Sequence, residues 1–479
     1  MNLWNKYKNM AVQAKAAIWY TICNFFQKGI SFIVVPIYVR LLTTAEYGEW
    51  SVFQSWAGIL IIFASLNLYA GVYTKTLVDM QDGEKRDRYT SSMQGLGTLI
   101  TLGLLVMYGF THDWCNRLLN LDTPFMLLLF LYFIVYPAFS FWGTRQRVEY
   151  RYKPMVAVTV AISILTPAVS ILLLQYSELR AKALILGFLS TQCAVGLVFY
   201  IYHFWKGSCF YDKEYWSYAI KFNIPLIPHY LSLIVLGQSD RIMIKHFCGD
   251  SDAGIYSFAY QIASAINVLI SAINGSRVPW TYDQLKARVY MQLKKITNVL
   301  VVMMAGITLL ICLVSPEIIG ILGTEEYKIA MYVIPVVTLG VYFTFVYDLY
   351  ASVEFYFGAT KYVMYASVTG AVLNIVLNAI FIPMFGFIAA AYTTLVCYIV
   401  FMLMHYIFSQ KVIKEQGINE SVYDNRSIFL LSLMISVICL GSMITFAHFV
   451  VRMLLIVGIV LLCVLKKKTI RDIALAIRR

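Results

Sequence analysis

Long apolar runs separated by short polar segments follow one another along almost the whole chain. A run of about 20 apolar residues crosses about 30 Å of hydrocarbon as a helix. About fourteen such spans are predicted, at 16–40, 48–72, 91–111, 124–143, 155–176, 183–205, 218–246, 253–279, 295–315, 329–350, 361–382, 386–408, 427–447 and 449–465. Each must be a helix, because an open strand leaves its backbone N–H and C=O groups unpaired in lipid. No connection exceeds roughly 20 residues, which leaves no room for a soluble catalytic domain. Residues 1–15 are polar and basic, and the first apolar run is too long for a signal core, so no cleavable leader is expected.

The pattern also repeats. Glu46-Tyr47-Gly48-Glu49-Trp50-Ser51 opens the second span and Asp252-Ala253-Gly254-Ile255-Tyr256-Ser257 opens the eighth, with acid, glycine, aromatic and serine in register. Lys153 at the start of the fifth span and Lys361 at the start of the eleventh stand at nearly the same offset. Six spans per copy is an even number, so both copies enter the membrane in the same direction, related by an axis along its normal. The expected architecture is an all-α polytopic membrane protein with two six-helix lobes in a parallel pseudo-two-fold repeat, plus two extra C-terminal helices. The expected divisions are an N-lobe at 1–205, an interfacial linker at 206–217, a C-lobe at 218–410, and the two added helices with a basic cytoplasmic tail at 411–479. Two bundles facing a central cavity suit alternating access.

Composition narrows the class. Hydrophobic residues make up 60% of the 479 and charged residues 13%, where an average soluble domain is about a quarter charged. Such a chain cannot cover a water-soluble surface. The net charge of +13 would suggest nucleic acid in a soluble protein. Here the basic residues gather in alternate loops, with roughly 28 Lys and Arg inside and about 8 outside if the N-terminus is cytoplasmic. That predicts an N-in, C-in orientation and leaves nucleic acid no role. The inward set includes Lys75, Arg86, Arg88, Arg145, Arg151, Lys294 and the tail Lys466, Lys467, Lys468, Arg471, Arg478 and Arg479. The nine cysteines, among them Cys23, Cys193, Cys312, Cys397, Cys439 and Cys463, lie mostly inside apolar runs without metal-ligand spacing. No disulfide, metal or cofactor is expected. No Gly-x-x-x-x-Gly-Lys-Ser/Thr loop occurs, so any drive must come from an ion gradient or the membrane potential.

Polar residues inside apolar runs carry the candidate chemistry. Lys28 stands about twelve residues from either end of the first span, ~18 Å from each interface, too deep to snorkel. An intramembrane lysine costs on the order of 3 kcal/mol, so it should meet an anionic ligand in a watery cavity or pair with a buried acid. Asp240 and Arg241 form either a local ion pair near the interface or a ligand site, with Asp240 carrying a coupling proton or sodium ion. Arg277 is an interfacial anchor beside Trp280 or a phosphate contact at the inner mouth, since its planar fork donates paired hydrogen bonds. Asp348 and Glu354 flank the inner end of the tenth span. Water exposure explains them, with ion coupling the alternative. Asn374 and Asn378, four apart, share a helix face that lines the cavity or bonds a neighbour. Pro36, Pro225 and Pro228 are hinge candidates, and the last two should make the seventh span irregular. The 35 Tyr, 30 Phe and 9 Trp exceed an interface belt, so some rings should line the cavity and stack on sugars.

Residues 26–54, from Phe26-Gln27-Lys28-Gly29 through Glu46-Tyr47-Gly48-Glu49-Trp50-Ser51, resemble the opening of bacterial oligosaccharide flippases of the Wzx type. So do Ile224-Pro225-Leu226-Ile227-Pro228-His229-Tyr230, Ser239-Asp240-Arg241-Ile242, Asp252 to Ser257, and Pro279-Trp280 ahead of a basic loop. The resemblance implies membership of the superfamily that holds multidrug antiporters and lipid II flippases, with two six-helix lobes. It implies export of undecaprenyl-diphosphate-linked oligosaccharide units across a bacterial cytoplasmic (inner) membrane, for O-antigen, capsule or exopolysaccharide synthesis. A polysaccharide polymerase and a chain-length regulator would be partners. Lys28, Arg40, Asp240 and Arg241 match basic and helix-seven positions of the family, while Arg277 stands where many members appear uncharged. The rivals are a cation-coupled drug antiporter of the same superfamily and a membrane glycan polymerase or ligase. The latter needs a long external loop that is missing here.

Overall fold

The computed structural model describes Tyr7 and residues 10–465; the basic tail from Lys466 onward lies outside the described residues. Every predicted span falls on helix. In chain order the helices are α1 (Val12–Leu41), α2 (Thr44–Ser65), α3 (Gly71–Asp79), α4 (Gly83–Leu119), α5 (Thr123–Val148), α6 (Tyr152–Tyr176), α7 (Ala181–Gly207), α8 (Lys213–Asn223), α9 (Ile227–Cys248), α10 (Asp250–Ala263), α11 (Ile266–Ala287), α12 (Tyr290–Leu313), α13 (Ser315–Leu322), α14 (Ile334–Tyr356), α15 (Thr360–Phe385), α16 (Ile388–Glu415), α17 (Asn425–Ser442) and α18 (Phe449–Leu465). Among the described residues 12 helices, counting α8–α9 and α10–α11 as one each, are long and apolar enough to cross a membrane. Of the fourteen predicted spans, α2 and α18 fall outside this set. The polar residues of α2 lower its hydropathy, but Ser51 and Ser55 are buried among neighbours rather than facing lipid. Helix α18 has 17 residues. The chain is a multi-pass membrane protein.

Two compact units emerge, one of residues 1–34 and 49–238, the other of residues 35–48 and 239–479. Both crossings that divide α1 and α9 lie within helices. In the first unit a core of Leu68, Val72, Tyr73, Leu77, Tyr89, Met93, Leu96, Phe141 and Ala219 joins α3, α4, α5 and α8. Tyr73 stacks on Tyr89 with ring centres 5.8 Å apart and meets Phe141 edge-on at 4.7 Å. The second span ends earlier than the apolar run, at Ser65, because Leu66 and Asn67 turn through positive φ. The Ser65 hydroxyl accepts from the Asn67 amide at 3.1 Å, and Asn223 donates to the Leu66 carbonyl at 3.2 Å, so the break leaves these backbone groups paired. At the ends of α4 and α5, Arg145 bonds Asp87 and reaches Glu149 at 2.9 Å, and Arg86 donates to the carbonyls of Leu77 and Met80 at 2.8 and 2.7 Å. Two loop arginines read only as topology signals thus also tie helix ends together.

In the second unit the two repeat motifs meet. A β-carbon on Gly48 would lie 1.8 Å from the Asp250 carbonyl oxygen, and one on Gly254 would lie 2.0 Å from the Thr44 carbonyl oxygen. The start of each helix therefore nests against the other with room only for hydrogen at the crossing. Thr44 and Ser251 close the contact, hydroxyl to hydroxyl, at 2.7 Å. Thr43 and Glu46 form a reciprocal cap, the Thr43 amide donating to the Glu46 carboxylate at 2.8 Å and the Glu46 amide to the Thr43 hydroxyl at 3.3 Å. The aromatic surplus goes largely into helix seams such as Trp50 on Phe53 and Phe188. Cys23, Cys193, Cys312, Cys397 and Cys439 are buried free thiols, and the side chain of Cys463 lies outside the described residues.

Candidate functional site

Asp240 sits on α9 with no exposed surface. Its carboxylate accepts from the Tyr256 hydroxyl at 2.6 Å, the Thr394 hydroxyl at 2.8 Å, and the amides of Asn378 at 2.7 Å and Asn374 at 3.2 Å. A second ring orients those donors. Ser239 donates to the Asn374 carbonyl oxygen at 2.8 Å, the Thr393 hydroxyl to that of Asn378, and the Asn374 amide also meets the Thr394 hydroxyl at 3.1 Å. Helices α9, α10, α15 and α16 each contribute. The i, i+4 spacing of the asparagines puts both on one face of α15, as the sequence predicts. The structure aims that face at Asp240 and buries both residues fully, so in this conformation they line no open cavity. Asp240 is likewise no surface pair near an interface. Its neighbour Arg241 lies over the Tyr260 ring, 4.5 Å from the centre. Tyr256, Thr393 and Thr394 were not expected here. Adjacent threonines inside an apolar span were the available signal.

Two more clusters lie in the same unit. Arg277 is buried, with 1% of its surface exposed, which places it neither at an open inner mouth nor as an interfacial anchor. It donates to the Asn274 side-chain oxygen at 2.9 Å, the Ser352 hydroxyl at 3.2 Å and the Asp348 carbonyl at 3.3 Å, and Asn274 donates onward to the Asp348 carboxylate at 2.7 Å. Burial of a guanidinium is tolerable only with such a network. Glu354 is not water-exposed either. It is fully buried on α14 against His405 of α16, whose Nδ1 stands 3.0 and 3.1 Å from the two carboxylate oxygens. His405 is not among the sequence candidates, although an ionisable residue inside an apolar span marks itself.

The remaining candidates are separate. Lys28 is exposed on α1 and, among the described residues, has no ion-pair partner. Arg40, in the last turn of α1, donates to the Ile321 carbonyl at 2.7 Å, at the end of α13 where the helix dipole favours a cation. Pro36 lies within α1, two residues beyond Val34, where the first unit ends. Pro225 and Pro228 interrupt the seventh span with a 3-10 turn at Ile224–Leu226 between α8 and α9, the irregularity their pairing predicts.

A family model described as polysaccharide biosynthesis protein matches residues 14–283, more than half of the chain, and a MatE model matches residues 225–380. An uncharacterized membrane protein of Haemophilus influenzae is 27% identical over 371 residues, 74% of this chain and 86% of that one. A Haloferax volcanii protein named probable low-salt glycan biosynthesis flippase Agl15 is 24% identical over 409 residues, 82% of each chain. Among solved structures, lipid II flippase MurJ in an inward closed conformation superposes with a TM-score of 0.68 at 15% identity, covering 95% of this chain and 100% of that one. An inward-facing MATE family multidrug transporter of the MOP superfamily gives 0.59 at 13% identity over 86% and 99%. At these identities the structural likeness speaks for the fold. With the family model spanning the first helices and the seventh and eighth spans, the chain belongs to the polysaccharide biosynthesis protein family.

Proposed function

We propose that the protein is a flippase for undecaprenyl-diphosphate-linked oligosaccharide, moving the headgroup from the inner to the outer leaflet of a bacterial cytoplasmic membrane with both termini inside. A diphosphate and its hydrated glycan cannot enter hydrocarbon unaided. The observation that carries the reading is Lys28: an exposed amine, unpaired among the described residues, midway along a 30-residue apolar helix. Its charge suits the diphosphate, and the lipid tail stays in the bilayer. The ion that drives the cycle binds at Asp240, a buried carboxylate ringed by two hydroxyls and two asparagine side chains whose oxygens suit a hard cation or a proton. The glycan flippase named among the relatives supports this reading.

Lipid-linked glycan transport into the outer leaflet of proteoliposomes tests it. Lys28→Ala abolishes transport, and Lys28→Arg retains a measurable rate because the charge stays. Full transport by the alanine variant removes Lys28 from the site. The MatE match over residues 225–380, which includes Asp240, favours a second reading, a cation-coupled drug antiporter. In that case Lys28→Ala leaves ion-driven drug efflux intact.

A further inference from the structure

The Glu354–His405 pair has no part in the site at Asp240, and its geometry asks for a ligand of its own. Both side chains are fully buried. The imidazole is clamped in place, stacked on Tyr347 with ring centres 5.3 Å apart and met edge-on by Phe401 at 4.6 Å. Nδ1 faces both carboxylate oxygens. The other ring nitrogen, Nε2, is buried without a hydrogen-bond partner among the described residues. It is the atom of the pair left with no hydrogen bond at all among the described residues.

The charges nearby set what the pair can bind. Among the described residues, the neighbouring cluster of Arg277 on α11 and Asp348 on α14, joined through Asn274, supplies one cation and one carboxyl. From α16 comes Tyr406, which meets Tyr350, and ahead of α17 stands Tyr423, whose hydroxyl donates to the Leu349 carbonyl at 3.0 Å. These phenols stay neutral where histidine titrates. With His405 neutral, the group holds one positive charge against two negative ones. One further proton makes it neutral. An uncompensated charge kept from water is costly, so the closed helix packing favours the protonated pair. Entry of water stabilises the charged form and lets the proton go. Affinity that changes with conformation is what couples an ion to a transport cycle.

The same chain contains the neutral counterpart. His203 on α7 is buried and its Nδ1 lies 2.9 Å from the Gln94 side-chain oxygen. An amide partner carries no charge, so that contact needs no proton to balance it. The carboxylate is what distinguishes His405.

We infer that Glu354 and His405 form a proton-binding site, holding one proton in common and exchanging it through Nε2, separate from the ion site at Asp240. This rests on the reading of an ion-coupled transporter and assigns it a proton. The first test follows the imidazole signals of His405 by NMR in the full-length protein, 15N-labelled at histidine and held in lipid nanodiscs, between about pH 5 and pH 8. In the wild type a protonation step appears that Glu354→Gln removes, leaving His405 as insensitive as His203. Identical behaviour of His405 in both proteins, or no step in the wild type, overturns the inference. The second test imposes a pH gradient on proteoliposomes carrying lipid-linked glycan. Glu354→Gln and His405→Gln lose the response to the gradient, and the exchange of the two residues, Glu354→His with His405→Glu, restores it. A loss of rate equal at every pH marks a packing role and overturns the proposal. If the wild type carries no glycan, the flippase reading fails, while the NMR step still decides for or against the proton site.

Discussion

At Asp240 neutral groups surround a fully buried carboxylate. Four neutral donors from three other helices converge on its two oxygens, and hydrogen bonds to a charged acceptor are roughly twice as strong as neutral ones. Asp240→Asn removes the charge while keeping the volume. The new side chain keeps one oxygen for the amides of Asn374 and Asn378 and turns an NH2 toward the Tyr256 and Thr394 hydroxyls, whose donated bonds are lost, which costs about 1–3 kcal/mol. The expected outcome is a lower melting temperature and transport that no longer accelerates with an imposed sodium or proton gradient. A gradient response equal to wild type would falsify ion binding at Asp240. At this scale the sequence showed the residues but not their meetings. Asp240 and the two asparagines stand apart in the chain as unrelated candidates, and Glu354 and His405 are 51 residues apart. No local pattern records a contact between distant spans.

The repeat motifs find their reason in the crossing of α2 with α10. A β-carbon at either glycine falls on a backbone carbonyl rather than on a side chain that can rotate away. Gly48→Ala and Gly254→Ala should each destabilise the protein by about 1–3 kcal/mol, as overpacking does. The double variant should cost less than their sum, because the first substitution already parts the helices. Melting temperatures of the three purified variants check both statements. The loop before α17 offers a test by pH. Asp424 accepts from the Ser427 amide at 3.2 Å and from the Asn298 side chain at 3.0 Å, and these bonds hold its carboxyl below the usual carboxylate range. A depressed value stabilises the fold above the normal carboxylate pKa and loses that contribution as pH falls through the lowered one. Wild-type melting temperature should therefore fall with acidification more steeply than that of Asp424→Ala, and parallel curves would dismiss the cap. Alternating acid, glycine and aromatic positions made the repeat visible, but the need for glycine appears only once the two helix starts touch.

Over the whole molecule, all three unit boundaries pass through helices, at residues 34–35 in α1, 48–49 in α2 and 238–239 in α9. The C-terminal helix is secured by a contact no periodicity announces. Arg452, 3% exposed, pairs with Glu317 on α13 and donates to the Thr445 carbonyl at 3.1 Å. Replacing it with leucine leaves Glu317 without its partner, and breaking such a pair costs about 3 kcal/mol where burial is complete, less here because Glu317 is partly open. The check is limited proteolysis: Arg452→Leu should release the segment after residue 447 faster than wild type, and equal rates would show that packing alone holds it.

The helices and their order were written into the chain itself. A backbone in lipid must satisfy its own hydrogen bonds, so apolar length and loop charge settle each span locally. The places where α2 stops and α9 bends were also local, set by Asn67 and by Pro225 and Pro228. Which polar side chains share a buried cluster depended on helix rotation and on packing between residues hundreds of positions apart. That is why Asp240 gained its asparagines, Glu354 its histidine and Gly48 its partner glycine only in three dimensions.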